Sequence, residues 1–441
     1  MASATQPAAA TTTDRAASDS TGPLRVAYVM SRFPKLTETF VLDEMIAVER
    51  HGVDVELFPL LRERATRIHD EARPWIPRAH YLPFLSLAIL RSNAAMLARR
   101  PRRYFGALAA MVRGTARSWN FLLGGIGIFP KVVHAAREME RLGVRHVHCH
   151  FANHPALAGF LVHRLVGIPY SFTAHGSDLN VDRTMLPQKV REAAFVVTIS
   201  ETNRRLIETT CGGPVPNLVV LHVGIDGRRF RPRDADLDAG AAGVIAGAPG
   251  IGDAACPRIV CVGTLHEVKG QRHLIGAARR LAERGTAFEL LFVGDGEDRS
   301  DLEALAASVP QPGVVRFLGQ RTRDEIVELL QTVDLLVAPS VPTAAGKREG
   351  LPVVLIEAMA SGVAVVASHL SGIPELVEDG VTGRTVPPGD EDALADAIAG
   401  LLADPARRAE LAAAGRRRVE ADFDLDRNAV RLIELFREAA A

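Results

Sequence analysis

The sequence predicts two α/β domains, each a doubly wound parallel sheet with helices on both faces, facing each other across a cleft. Three observations predict it. The length, 441 residues, exceeds one typical core and suits two domains of about 200 residues. Short apolar, β-branched runs alternate with helical periodicity in two separate series. Between the series, at 231–257, Asp234, Asp236 and Asp238 give way to an Ala/Gly-rich stretch ending near Pro257, the composition of a linker.

Taken in order, residues 1–23 are Ala/Thr/Ser-rich, contain Asp14 and Asp19, and hold no apolar core of signal-peptide length. They read as a disordered tail. The first domain, 24–230, opens with a strand at 24–30, a helix at 37–50 with Thr37 as its cap, and a strand at 53–60. After an interruption come a strand at 144–151, a helix at 155–166, strands at 170–174 and 195–200, a helix at 201–210 and a strand at 218–223. The second domain, 258–423, has strands at 258–263, 288–293, 314–318, 334–338 and 363–367 with helices between them. A final helix, 424–441, is expected to cross back to the first domain. Open parallel sheets bind ligands at the carboxyl ends of their strands, so the cleft is the expected pocket.

Composition narrows the function. An apolar fraction of 47% with 24% charged residues is that of a soluble globular enzyme. The 52 basic and 52 acidic residues cancel, which removes any overall attraction to nucleic acid. Cys149, Cys211, Cys256 and Cys261 form no CxxC pair and have no histidines at metal-ligand spacing, which fits a reducing cytoplasm without disulfides or zinc. No apolar run reaches the roughly 18 residues of a membrane span.

The interruption at 72–137 contains no Asp or Glu, yet carries Arg73, Arg78, Arg91, Arg99, Arg100, Arg102, Arg103, Arg113, Arg117, Lys131 and Arg137. Tyr104, Leu108, Met111, Val112, Thr115 and Trp119 fall on one helical face of it. Such a basic amphipathic insertion suits an anionic membrane surface. The alternative is that the apolar face packs on the first domain and the arginines are solvated. No helix-turn-helix, zinc or RNA-binding signature accompanies the charge, so nucleic acid is not the expected partner.

The segment at 346–362 carries the most chemistry. It reads Gly-Lys-Arg-Glu-Gly-Leu-Pro-Val-Val-Leu-Ile-Glu-Ala-Met-Ala-Ser-Gly, with Glu349 and Glu357 eight positions apart across a helix start. Gly350 and Pro352 punctuate a loop, and Pro352 belongs near the first helical position. The free N–H groups and dipole of a helix start attract an anion. The carboxylates would repel one, so they fit as hydrogen-bond acceptors for hydroxyls. Phosphate at the helix start and hydroxyls at the glutamates describe a sugar nucleotide. An ordinary capped helix with solvated acids accounts for the same spacing.

Other motifs join it. Val-Gly-Thr-Leu-His-Glu-Val-Lys-Gly at 262–270 closes a strand at Gly263 and places Lys269 where it meets a diphosphate as a mobile point charge, or stands as a surface lysine. Val-Gly-Asp-Gly-Glu at 293–297 is a glycine turn in which Gly294 and Gly296 suit close backbone approach by a nucleotide. His150 and His175 each end a strand of the first domain and converge on the cleft, unless each is a satisfied structural histidine. Gly176 favours His175 by letting the backbone come near a ligand. The Asp-x-Asp patterns at 234–238 and 422–426 read as solvated caps rather than metal ligands.

The segment from Glu349 to Gly362 resembles the retaining glycosyltransferases of family 4. So do Gly-Ile-Pro-Glu-Leu-Val-Glu-Asp-Gly-Val-Thr-Gly at 372–383, Val-Lys-Gly at 268–270, Gly-Asp-Gly at 294–296 and Phe-Thr-Ala-His-Gly-Ser-Asp at 172–178. Ser-Arg-Phe-Pro at 31–34, Thr-Glu-Thr-Phe at 37–40 and His-Phe-Ala-Asn-His-Pro at 150–155 are similar to its bacterial exopolysaccharide and colanic-acid branch.

The resemblance implies a GT-B fold of two Rossmann-like domains, the second holding a UDP- or GDP-sugar donor and the first a glycan acceptor. It implies that Glu357 accepts the ribose hydroxyls, that Glu349 meets the donor sugar hydroxyls and that His175 lines the reacting centre. N–H groups around Gly350, Leu351, Pro352 and Val353 would face the diphosphate and sugar. It further implies transfer with retention and without a metal or other cofactor, so that Lys269 and helix dipoles stabilise the leaving diphosphate.

Two departures from that pattern stand out. Thr264 occupies the place of an arginine usual beside the diphosphate; Arg272, Lys347 or Arg348 substitutes for it, or donor binding is weaker. Ser31, Arg32 and Lys35 replace paired glycines on the acceptor side and suit an acceptor with its own phosphate, such as a lipid-diphosphate-linked oligosaccharide. The expectation is a cytoplasmic enzyme, peripheral on the inner face of the plasma membrane, that moves a hexose onto a lipid-linked glycan. A nucleotide-sugar epimerase and a non-catalytic nucleotide-sugar-binding protein remain the alternatives.

Overall fold

The computed structural model describes residues 22–35, 38–64, 68–84, 86–180, 182–232, 256–311 and 313–441. The expected disordered tail, Thr37 and almost all of the expected linker, Asp234, Asp236 and Asp238 included, lie outside the described residues.

Strands β1 (Arg25–Phe33), β2 (Asp54–Arg62), β3 (His146–His150), β4 (Tyr170–Ala174), β5 (Phe195–Thr198) and β6 (Leu218–Val220) form one sheet, and β7 (Arg258–Val262), β8 (Phe288–Val293), β9 (Gly313–Gly319), β10 (Leu335–Ala338), β11 (Ala364–Ser368) and β12 (Arg384–Val386) form another. Their orders are β2-β1-β3-β4-β5-β6 and β12-β11-β10-β7-β8-β9, and every pairing is parallel. Central strands are covered on both faces, which is why they read as apolar runs: all of β4, β8 and β11 is buried. Strand β12 was not anticipated, because Arg384 and Thr385 leave it without the apolar run that marks the equally short β6.

In the first half, α1 (Thr39–Arg50) joins β1 to β2, and α2 (Leu87–Arg99), α3 (Pro101–Thr115) and α4 (Trp119–Leu142) separate β2 from β3. Helices α5 (His154–Val166), α6 (Ser177–Asn180), α7 (Leu186–Glu192) and α8 (Glu201–Cys211) complete it. Ser200 caps α8 by accepting the Asn203 N–H. The second half adds α9 (Gln271–Glu283), α10 (Arg299–Ala306), α11 (Arg323–Leu330), α12 (Val353–Ala360), α13 (Ile373–Leu376), α14 (Glu391–Ala403) and α15 (Pro405–Asp422). A capping box between Thr322 and Glu325 starts α11.

Helix α16 (Leu425–Ala440) returns to the first sheet. Its Leu432, Ile433 and Phe436 pack in one buried cluster with Val26, Tyr28 and Met45. Asp424 caps α16 by accepting the Arg427 N–H at 2.7 Å, and Asp426 pairs with Arg50, so these acids are spent locally.

Polar contacts also tie the halves together. Arg323 of α11 forms a buried ion pair with Asp43 of α1, and Arg229 bridges Glu71 and Asp324. Glu375 of α13 accepts hydrogen bonds from the Glu201 N–H at 2.8 Å, the Thr202 N–H at 2.8 Å and the Thr202 hydroxyl at 2.7 Å, so it caps α8 from the other half.

The basic insertion differs from the single amphipathic face expected of it. Met111 and Thr115 are fully buried, and Tyr104 and Leu108 pack against the first core. Trp119 lies beyond the end of α3, at the start of α4, and is 74% exposed. Other apolar side chains face solvent instead: Leu87, Leu90 and Leu97 of α2, Phe105 of α3, and Trp119, Leu123 and Ile126 of α4. Lys131 is buried and donates to the Leu60 carbonyl. Arg73, Arg78 and Arg100 pair with Asp70, Glu49 and Glu140. Arg91, Arg99, Arg102, Arg103, Arg113, Arg117 and Arg137 form no ion pair among the described residues. Among those residues no helix is long and apolar enough to cross a membrane.

Candidate active site between the two sheets

A cleft of about 640 Å³ opens between the carboxyl ends of the two sheets. From the second half it is lined by Gly263, Thr264, Lys269, Gly294, Glu349, Gly350, Leu351, Pro352, Val353 and Glu357, and from the first by Ser31, Lys35 and His175. The topology brings these residues together, since each follows or precedes a strand end.

Pro352 is the N-cap of α12, one position earlier than expected, and no side chain caps that helix. The first-turn N–H groups of Val353 and Val354 therefore remain available where both residues line the cleft. Glu357 lies one turn further along, buried. Burial raises its carboxyl to about 7, opposed by Arg323 and reinforced by Asp43. Glu349 sits in the preceding loop with Oε2 2.6 Å from Lys269 Nζ.

Lys269 ends a short 3-10 turn whose N-cap, His266, accepts the Val268 N–H. Gly270 follows with φ +68°, and a Cβ there would meet the Pro339 carbonyl oxygen at 1.9 Å. Only glycine lets this turn press against the end of β10 and hold Lys269 at the cleft. Of the candidates to replace the cation missing at Thr264, Lys347 and Arg348 line the cleft and Arg272 does not.

Gly296 does not line the cleft. A Cβ on it would sit 2.1 Å from the Leu265 oxygen, and one on Gly294 would sit 1.9 Å from the Gly263 oxygen. These glycines serve the packing of two strand-end turns against each other, and Gly294 alone also borders the cleft.

On the first-domain side, His175 packs against Phe40 and Phe151, each ring centroid 4.7 Å from its own. Burial, then His150, holds its pKa well below the ordinary imidazole range, so the ring is neutral. Asp178 pins its turn by accepting the His175 N–H at 3.0 Å and the Gly176 N–H at 2.9 Å. A Cβ on Gly350 would lie 2.4 Å from the His175 oxygen. The histidine turn and the glutamate loop are therefore in direct contact across the cleft.

His150 and Arg32 are not where the sequence suggested. His150 is fully buried behind His175, its Nδ1 3.1 Å from His175 Nε2, because the alternation of β3 points it into the sheet face. Arg32 turns away to Glu63 at 3.5 Å. The sequence reading also missed Arg323, which lines the cleft from α11. Its partner Asp43 is 280 positions away, a separation that leaves no local signal. Among the described residues one group of side chains could hold a metal, Glu44, His148 and His150, and it lies behind His175 rather than in the cleft.

A sequence model of the family described as glycosyl transferases group 1 matches residues 256–404. The GDP-mannose-dependent alpha-(1-6)-phosphatidylinositol monomannoside mannosyltransferase of Mycolicibacterium smegmatis is 34% identical over 273 residues, spanning 62% of this chain and 69% of that protein. The chain belongs to the group 1 glycosyltransferases. This glycosyltransferase is also 27% identical over 420 residues to the amylovoran biosynthesis glycosyltransferase AmsK of Erwinia amylovora, spanning 91% of this chain and 96% of the relative. The crystal structure of Anabaena Alr3699/HepE in complex with UDP and glucose shares its fold, with a TM-score of 0.68 at 18% identity over 94% of this chain and 100% of that one. The glycosyltransferase thus has the GT-B fold.

Proposed function

We propose that this glycosyltransferase moves a hexosyl group from a UDP- or GDP-sugar to a glycan acceptor of exopolysaccharide assembly, with retention and without a metal or other cofactor. One observation supports it above the others: Lys269, Glu349, Glu357 and the open start of α12 border the same cleft as His175. Glu357 takes the ribose hydroxyls, Glu349 the sugar hydroxyls, and Lys269 with the α12 N–H groups the diphosphate. Lys347 and Arg348 supply the charge that Thr264 lacks.

In the transfer, the acceptor hydroxyl oxygen bonds to the anomeric carbon as the bond from that carbon to the diphosphate oxygen breaks. The hydroxyl proton passes to the departing diphosphate. Retention requires attack from the face the diphosphate leaves. Ser31 and Lys35 border the acceptor side and suit an acceptor carrying its own lipid-linked diphosphate.

The test incubates the full chain with UDP- and GDP-hexoses, a lipid-linked oligosaccharide and EDTA, and reads the anomer formed by NMR. Transfer with retention is expected, and a folded Glu357→Ala variant should lose turnover. Unchanged turnover in that variant would refute the assignment. Interconverted donor without acceptor would favour an epimerase.

The same reading includes peripheral attachment to the cytoplasmic face of the plasma membrane. Its support is the exposed apolar side chains of α2 and α4, Leu87 at 62% and Leu123 at 64% among them, together with the seven arginines of the insertion that form no ion pair among the described residues. Each arginine near an anionic surface contributes about 1 kcal/mol. Sedimentation with phosphatidylglycerol vesicles should weaken at high salt and in a Leu87→Glu, Leu123→Glu variant. Equal binding to neutral and anionic vesicles would return the arginines to simple solvation.

A further inference from the structure

We propose that Phe151 and Asn153 form the subsite for the accepting sugar: the Phe151 ring lies under the C–H face of its pyranose, and the Asn153 amide binds one of its hydroxyls. The proposal rests on the cleft being the transferase site and assigns that site's acceptor side.

Among the described residues three besides glycine have a positive φ: Phe151 at 77°, Met185 at 60° and Ser371 at 52°. A bulky side chain in the left-handed region is strained and stays there only where the surrounding structure holds it. Burial offsets the strain at Met185, which is 5% exposed and packs in the first core. Ser371 has no bulk. Phe151 has neither compensation, since its ring joins none of the buried apolar clusters among the described residues. It lines the cleft instead, with the Phe40 and His175 ring centroids 6.4 and 4.7 Å from its own.

Hydrogen bonds fix the backbone at this turn. The Phe151 N–H donates to the Thr173 carbonyl at 2.8 Å. The Ala152 N–H donates to Asp178 Oδ2 at 2.5 Å, and Lys189 Nζ donates to the Ala152 carbonyl. Asp178 and Lys189 are both buried, so charged side chains are withdrawn from water to hold a strained phenylalanine in place. Asp178 Oδ1 also accepts the His175 and Gly176 N–H groups. One carboxylate therefore sets the Phe151 ring relative to His175.

The same turn delivers Asn153, the N-cap of α5, to the cleft. Its side chain does not cap the helix, and its Oδ1 is buried without a hydrogen-bond partner. A buried amide oxygen left unpaired is costly. A hydroxyl arriving in the cleft removes that cost whichever way the amide is turned, because a hydroxyl both donates and accepts.

An apolar ring beside an unpaired amide matches a pyranose, which has axial C–H groups on one face and hydroxyls around its edge. Lys269, Glu349 and Glu357 line the cleft from the second half, whereas Phe151 and Asn153 line it from the first. The sugar on Phe151 is therefore the acceptor and not the donor. Neither Phe151 nor Asn153 carries a charge, so this subsite takes a sugar ring rather than a phosphate.

The test is saturation-transfer NMR of the full chain with UDP or GDP and the methyl glycosides of glucose, galactose and mannose. At least one hexoside should be saturated through the C–H protons of one ring face. Phe151→Ala and Phe151→Gly should each raise its Kd about tenfold, and Asn153→Ala about three- to tenfold, with nucleotide binding unchanged. In turnover with a lipid-linked oligosaccharide, Phe151→Ala should raise the acceptor KM about tenfold and leave the donor KM alone. Phe151→Tyr should keep the wild-type value. Phe151→Gly, which fits the left-handed backbone, should melt above Phe151→Ala, and it decides the binding if Phe151→Ala fails to fold. Undiminished hexoside binding in the folded variants, no saturation of any hexoside by the wild type, or a donor KM rising in step with the acceptor KM would each overturn the proposal. Because sugar binding is read without turnover, a hexoside held on Phe151 by a protein with no transferase activity would condemn the transferase reading alone.

Discussion

Lys269 Nζ lies 2.6 Å from Glu349 Oε2, joining the turn after β7 to the loop before α12. A diphosphate competes with Glu349 for the lysine, while sugar hydroxyls compete with Lys269 for the carboxylate. Donor binding therefore exchanges one ion pair for two new interactions. Lys269→Ala should lower kcat/KM for the donor by about 10²–10³, the usual loss when one stabilising charge leaves a transition state. Steady-state kinetics on the folded variant checks it, and a loss below threefold would remove Lys269 from the diphosphate.

Glu357 links stability and donor affinity to pH. Its carboxyl is raised to about 7 by burial, so it favours folding below the unfolded value of about 4.3 and loses that advantage as pH rises through 7. Relative to Glu357→Gln, the wild type should lose on the order of 3 kcal/mol between pH 4 and 8. Urea melts at several pH values measure the difference. Ribose hydroxyls favour the ionised carboxylate, so donor binding near pH 7 should release protons, visible as buffer-dependent calorimetric heats.

Gly350 touches the His175 turn closely enough that a Cβ would sit 2.4 Å from the His175 oxygen. Gly350→Ala should force the glutamate loop away from the histidine turn at a cost of about 1–3 kcal/mol. Turnover should fall with it. Gly127→Ala, in α4 with nothing within 4 Å of its Cβ, is the control and should stabilise by about 1 kcal/mol. Equal melting temperatures and turnover for the two variants would contradict the contact.

Asp43 and Arg323 pair while both are buried. Asp43→Ala leaves a guanidinium uncompensated and should cost about 3–5 kcal/mol. The double variant Asp43→Leu, Arg323→Met should recover most of it, as replacing a buried pair by apolar side chains commonly does. Chemical denaturation of single and double variants decides, with no recovery as the contrary result.

The strands were legible because a parallel strand covered on both faces must be apolar throughout, as in β8. Strand β12 escaped because Arg384 and Thr385 break any apolar run there. Lys269, Glu349, Glu357 and His175 were legible because each sits in a short local motif. His150 was misplaced because alternation shows that neighbours diverge but not which face meets the cleft. The apolar stripe of α3 was misread for a related reason: amphipathicity reveals an apolar face without naming what covers it. The Asp43–Arg323 and Ala152–Asp178 contacts exist only once the chain is folded.

The reach of Glu375 across to α8 gives the molecule its own gauge of separation between its halves. Parting them strips the cap from the first turn of α8, which costs about 0.5–2 kcal/mol and bares the amides of Glu201 and Thr202. Hydrogen exchange at those two amides then counts how often the molecule gapes, and a bound nucleotide should slow that clock.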